Sequence, residues 1–125
     1  MPSDWNDDIA VCELNDEPQL SEELASVIER AEKNAPGAQR AVKHLVLNFS
    51  GVRYISSSHL AQLIRLRKAL NEAHKQMVLC SVNDNLWSVF LMSGLDRIFR
   101  FAPDPLTALA TLQLEIAPDE GQEQV

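Results

Sequence analysis

Three consecutive serines, Ser56, Ser57 and Ser58, run directly into His59, and no other stretch of this 125-residue chain invites chemistry so plainly. A hydroxyl beside an imidazole first suggests nucleophilic catalysis, but the spacing argues against it. Neighbouring helical residues project about 100° apart, so Ser58 and His59 do not face each other as nucleophile and base. The chain has no Gly-x-Ser-x-Gly elbow and no Gly-rich phosphate loop ending in Gly-Lys-Ser/Thr. His44, His59 and His74 are widely spaced and make no metal-ligand pattern with Cys12 or Cys80. Catalytic residues, a metal and a cofactor are therefore not expected. The remaining chemistry is modification. Serine is favoured where a helix starts, because its hydroxyl accepts from an otherwise unpaired backbone N–H. The same helix end carries partial positive charge, so an added phosphate would be held rather than repelled. The plain alternative is that the three serines only cap a helix.

Positioning those serines requires a strand and a helix, and the chain alternates between the two throughout. His44 to Phe49 is an apolar strand that enters a short turn, and the serines then open a helix. On that helix Leu60, Leu63, Ile64 and Leu70 share a face, away from Arg65 and Lys68. Upstream, Ile9–Leu14 reads as a strand. Ser21–Lys33 reads as a helix with Ser21 as cap and an apolar stripe of Leu24, Val27, Ile28 and Ala31. Downstream, Met77–Val82 is a strand. Asn83 or Asp84 caps a helix from Leu86 to Met92, and Gly94 ends it. Arg97–Phe101 alternates as a strand does. Pro105 opens a last helix with Leu106, Leu109, Ala110 and Leu112 inward. The order β-α-β-α-β-α-β-α predicts an α/β fold with about four helices on a small, partly parallel sheet.

Composition narrows the partners. A formal net charge of −7 argues against nucleic acid, whose binders present a basic face. No apolar run is long enough for direct membrane insertion, so a cytoplasmic location is the default. Cys12 and Cys80 sit in separate apolar strands and read as buried thiols. The Arg65, Arg67, Lys68 cluster reads as a solvated helix face. Residues 1–8 form an acidic lead or an edge strand, 9–116 a single domain, and 117–125 a disordered acidic tail.

Four segments in consistent order carry a resemblance. Leu45-Val-Leu-Asn-Phe-Ser-Gly-Val52, Tyr54-Ile-Ser-Ser-Ser-His-Leu60, Val78-Leu-Cys-Ser-Val-Asn83 and Met92-Ser-Gly-Leu-Asp-Arg-Ile-Phe99 together resemble the STAS domain family. That family comprises bacterial anti-sigma factor antagonists and related domains of sulfate transporters. The resemblance implies a STAS-like fold with a four- to five-stranded mixed sheet. Family members commonly show Asp-Leu-Ser-Gly-Val and then Ile-Asp-Ser-Ser-Gly-Leu. Here Asn48 replaces the first Asp, Ser56 the second and His59 the Gly, while Ser50, Gly51, Val52, Ser57 and Ser58 match.

In kinase-regulated antagonists the second serine of the pair is phosphorylated, which maps to Ser58, with Ser57 as the alternate acceptor. The partners implied are an anti-sigma factor that is itself a serine kinase, and a phosphatase that resets the cycle. Ser56 and His59 would be contacts at the rim of that interface. A dimer is also compatible with the sequence. On the third helix the resemblance assigns Leu86, Val89, Phe90 and Met92 to the core. Trp87 and Leu91, spaced i, i+4, would then form an exposed apolar patch for a partner. The alternatives are a rotated helix that buries Trp87, or cover from the N-terminal segment containing Trp5. The expected function is a non-enzymatic, phosphorylation-switched interaction domain of the anti-sigma factor antagonist type. The runner-up is a constitutive docking subunit of a transporter or signalling assembly, without phosphorylation.

Overall fold

The computed structural model describes residues 9–32 and 43–116. The acidic lead, with its reading as an edge strand, and the tail at 117–125 lie outside the described residues. The elements are β1 (Ile9–Asn15), α1 (Gln19–Glu32), β2 (His44–Gly51), α2 (Ser57–Glu72), β3 (Met77–Cys80), α3 (Asp84–Ser93), a 3-10 turn (Leu95–Arg97), β4 (Arg100–Ala102) and α4 (Pro105–Ile116).

The four described strands lie in the order β1-β2-β3-β4, and all three pairings are parallel. The expected mixed sheet is therefore corrected to a parallel one. The physical reason is connectivity: a helix separates every consecutive pair of strands and returns the chain to the same end of the sheet. Right-handed crossovers between successive neighbours also put α1, α2 and α3 on one face. The larger core lies there, with Leu24, Ile28, Leu63, Leu66, Leu86 and Phe90 packed on Leu47, Phe49 and Leu79. On the opposite face α4 lays Ala108 and Leu112 over Val46, Val78 and Cys80.

Several sequence expectations shift within this frame. α1 begins at Gln19, which puts Ser21 inside its first turn instead of at the cap. Its apolar stripe is buried as expected, with Leu20 added. On α2, Ile64 is exposed and Leu66 takes the buried position. On α4, Leu106 and Ala110 point outward while Ala108 and Leu112 are buried. Met92, expected in the core, is 87% exposed at the end of α3. The segment read as a strand from Arg97 starts as a 3-10 turn and becomes a strand only at Arg100. Both cysteines are free thiols, Cys80 buried and Cys12 half-buried, and burial pushes both thiol pKa values up.

Candidate functional site

Because the strands are parallel, their carboxyl ends share one edge, and the loops leading into α1, α2 and α3 meet there. Side chains bind these loops together. Asp16, between β1 and α1, accepts from the Arg53 backbone N–H at 2.7 Å and from its Nε at 3.0 Å. Asn83, before α3, donates from Nδ2 to the Val52 carbonyl at 3.3 Å. Gly51 lets β1 and β2 close at this edge, since a Cβ there would lie 2.8 Å from the Leu14 carbonyl oxygen. The backbone register between the two strands shifts over Glu13 to Asn15, immediately beside this contact.

The serines divide into two kinds. Ser56 is the N-cap of α2, with extended backbone, and its carbonyl accepts the Leu60 N–H at 3.0 Å. Its own N–H donates to Nδ1 of His59 at 3.0 Å, and its hydroxyl lies 3.2 Å from the same nitrogen. Ser57 and Ser58 occupy the first two helical positions, exposed, and neither hydroxyl makes a hydrogen bond among the described residues.

His59 is 4% exposed. Its ring turns inward, so it meets solvent and partners far less than the rim contact read from sequence. It takes the third helical position, where glutamate or glutamine commonly accepts the N-cap N–H. An N–H can only donate, so Nδ1 must be the bare nitrogen and Nε2 must carry the proton. Nε2 then donates to Oε2 of Glu17 at 2.5 Å. Glu17 is held in place by Ser21, whose hydroxyl donates to Oε2 and whose backbone N–H reaches Oε1 at 3.2 Å. The Ser21 hydroxyl and then the His59 ring draw the Glu17 carboxyl below its ordinary pKa. The Arg53 backbone N–H, followed by its guanidinium, does the same for Asp16.

Asn48 is buried in β2, and its Oδ1 accepts the Ser50 N–H at 3.0 Å, which shapes the strand end. On α3, Leu86 and Phe90 are buried and Val89 is half-buried. Trp87 is 37% exposed and Leu91 49%, and the indole stands edge-on to Phe101 at 5.0 Å. The two therefore do adjoin on an outward helix face, with Trp87 half-embedded rather than freely solvated. Sequence reasoning missed Asp16, Glu17 and Ser21. The signal for His59 was present, since it lies three residues after the N-cap serine. Among the described residues no group of three His, Cys, Asp or Glu side chains could hold a metal, and no helix is long and apolar enough to cross a membrane.

The described residues form an open parallel α/β domain with a serine pair at a helix start, on the loop edge of its sheet. The chain belongs to the STAS domain family, whose family model matches residues 14–108. It is similar to the anti-sigma F factor antagonist of Paenibacillus polymyxa, 28% identical over 76 residues. That match spans 61% of this chain and 65% of the relative, just under two thirds of its length. It is likewise 28% identical over 95 residues to the candidate anti-sigma factor antagonist BtrV of Bordetella bronchiseptica, covering 76% of this chain and 73% of that one. Among solved structures it is similar to a serine-to-glutamate variant of RsbS from Moorella thermoacetica, with a TM-score of 0.68 and 20% identity. That likeness covers 89% of this chain and 95% of the other.

Proposed function

We propose that this protein is a non-enzymatic switch of the anti-sigma factor antagonist type, with Ser58 as phosphoacceptor and Ser57 as the alternate. One observation carries the reading. Of three adjacent serines the fold engages Ser56, while Ser57 and Ser58 are exposed without internal partners at a helix start. A phosphoserine adds about −1.5 to −2 charges at neutral pH. A helix N-terminus tolerates that charge, so the change is read at an interface and not by unfolding. Burying it against a partner without a matching cation weakens binding about tenfold for each ~1.4 kcal/mol of penalty.

The partner in this reading is an anti-sigma factor with serine-kinase activity, opposed by a phosphatase in a bacterial cytoplasm. Trp87 and Leu91 supply an apolar contact and Ser56 a polar one. His59 serves from beneath as a positioning residue. The test is intact-mass analysis of the protein isolated from its native cell, with fragment mapping of residues 53–65. One phosphate on Ser57 or Ser58, absent in a Ser58→Ala protein or moved by it to Ser57, supports the switch. An unmodified peptide in both growth and stress conditions overturns it in favour of constitutive docking.

A further inference from the structure

We infer that His59 is a proton-gated latch that positions the serine turn. It ties the start of α2 to the β1–α1 loop in its neutral form and releases the N-cap when it gains a second proton. The inference deepens the proposed function, in that the turn it governs is the one carrying Ser57 and Ser58. The latch itself exists whether or not those serines are modified.

The ring bridges two elements that are 42 positions apart in sequence, with Ser56 N–H on Nδ1 and the Glu17 carboxylate on Nε2. With Nε2 already protonated, the only lone pair that can take another proton is that of Nδ1, and the Ser56 N–H occupies it. A proton taken from water at that site sets two N–H groups head to head at 3.0 Å. The buried ring has one relief within reach, the Ser56 hydroxyl at 3.2 Å, which accepts from Nδ1–H once the backbone N–H is given up. The Glu17 bond persists through the change and gains charge assistance. The imidazole's half of the capping box is lost while the anchor stays, so the first turn of α2 loosens around a fixed pivot.

Among the described residues, the β1–α1 loop sets Glu17 and Asp16 beside the ring, and the β2–α2 loop Arg53 and Tyr54, all lining one open cleft beside Ser56. Asp16 and Arg53 neutralise each other at 3.0 Å. From α1 comes only the Ser21 hydroxyl, 3.4 Å from Nε2 and not titratable in this range. Among the described residues Glu17 is therefore the one charge in direct contact with the imidazole, and Nδ1 is the ring site at which proton uptake rearranges a backbone hydrogen bond.

The test is nitrogen-15 NMR of the full chain between about pH 8 and about pH 5. The His59 ring nitrogens and the Ser56 amide exchange rate are followed together, the latter corrected for the intrinsic pH dependence of exchange. The expected result is a neutral ring with its proton on Nε2 at high pH and a protected Ser56 amide. A fall in that protection of about tenfold should track protonation of the ring. In His59→Gln the side-chain carbonyl replaces Nδ1 as acceptor, so the amide should stay protected and lose its pH dependence. A neutral ring protonated on Nδ1, or Ser56 protection that ignores pH, overturns the latch. So does an identical pH response in His59→Gln. Neither NMR readout requires a phosphate, so failure of the latch and failure of the phosphorylation reading are separable.

Discussion

α2 and α3 start side by side on the same edge of the sheet, yet they are capped in different ways. α3 is self-sufficient: Asn83 at its N-cap accepts the Leu86 N–H at 2.9 Å through its own side chain. α2 is closed by a reciprocal box, in which the Ser56 side chain meets the His59 N–H and the His59 imidazole accepts the Ser56 N–H, and that imidazole is at once hydrogen-bonded to a loop far away in sequence. The first arrangement closes a helix locally. The second couples the helix end to the β1–α1 loop, so disturbance at either place is felt at the other.

The largest effect that separates the two starts should come from His59→Ala. It removes a buried ring and leaves the Ser56 N–H and Glu17 without their partner, for an expected loss of about 2–4 kcal/mol in denaturant unfolding. Loss of exchange protection should spread to the β1–α1 loop. Asn83→Ala should cost only about 1 kcal/mol, the ordinary worth of a cap. Its effect should stay within α3 and the Val52 contact. Equal losses with equal spread in both variants would erase the distinction between the two helix starts.

Substitutions at the outward positions sharpen the same comparison. Leu91→Lys should change stability by no more than about 0.5 kcal/mol, and together with Trp87→Glu it should abolish partner binding. Trp87→Glu alone also gives up the edge-on contact with Phe101, worth about 1 kcal/mol. Unfolding of the double variant in circular dichroism would show that this face is structural. Ser58→Asp should leave thermal stability unchanged or raise it by less than about 1 kcal/mol, because a negative charge suits the first turn of a helix.

Element order was legible from periodicity, and so were the features fixed by local chemistry. The Asn83 cap, the Gly94 terminus at φ 78° and the stripe on α1 are examples. Phase was not legible where apolar residues surround a helix. On α2 both Ile64 and Leu66 are plausible inward residues, and it is Leu66 that enters the buried core. On α4, with leucine at four positions, it is Ala108 and Leu112 that meet the sheet, because the close approach to Val46 and Val78 favours a small residue. The outward leucines Leu106 and Leu114 carry no sequence mark that distinguishes them. At the site, the exposed serines were legible, whereas the partners of His59 were not. Glu17 and Ser21 reach it only because parallel strands bring the β1–α1 and β2–α2 loops to one edge.

The smallest predicted effect concerns the two carboxylates that join those loops. Asp16 and Glu17 both have folded-state pKa values below the ordinary carboxylate range, Asp16 through Arg53, Glu17 through Ser21 and then His59. A depressed folded value means that the unfolded state binds more protons in acid. The stabilisation is therefore complete above the unfolded value, near pH 4, and is lost as pH falls through the lower folded values. Glu17 is exposed and Asp16 half-buried beside an exposed Arg53, so screening keeps the gain small and added salt should shrink it for the Asp16–Arg53 pair. Asp16→Asn should flatten the acid limb of the stability–pH curve slightly and loosen only the β2–α2 loop. Glu17→Gln should flatten it as well, and in addition lower protection at the first turn of α2, because only Glu17 is connected through His59 to the helix. If the two variants are indistinguishable at Ser56, the connection between loop and helix does not run through the imidazole.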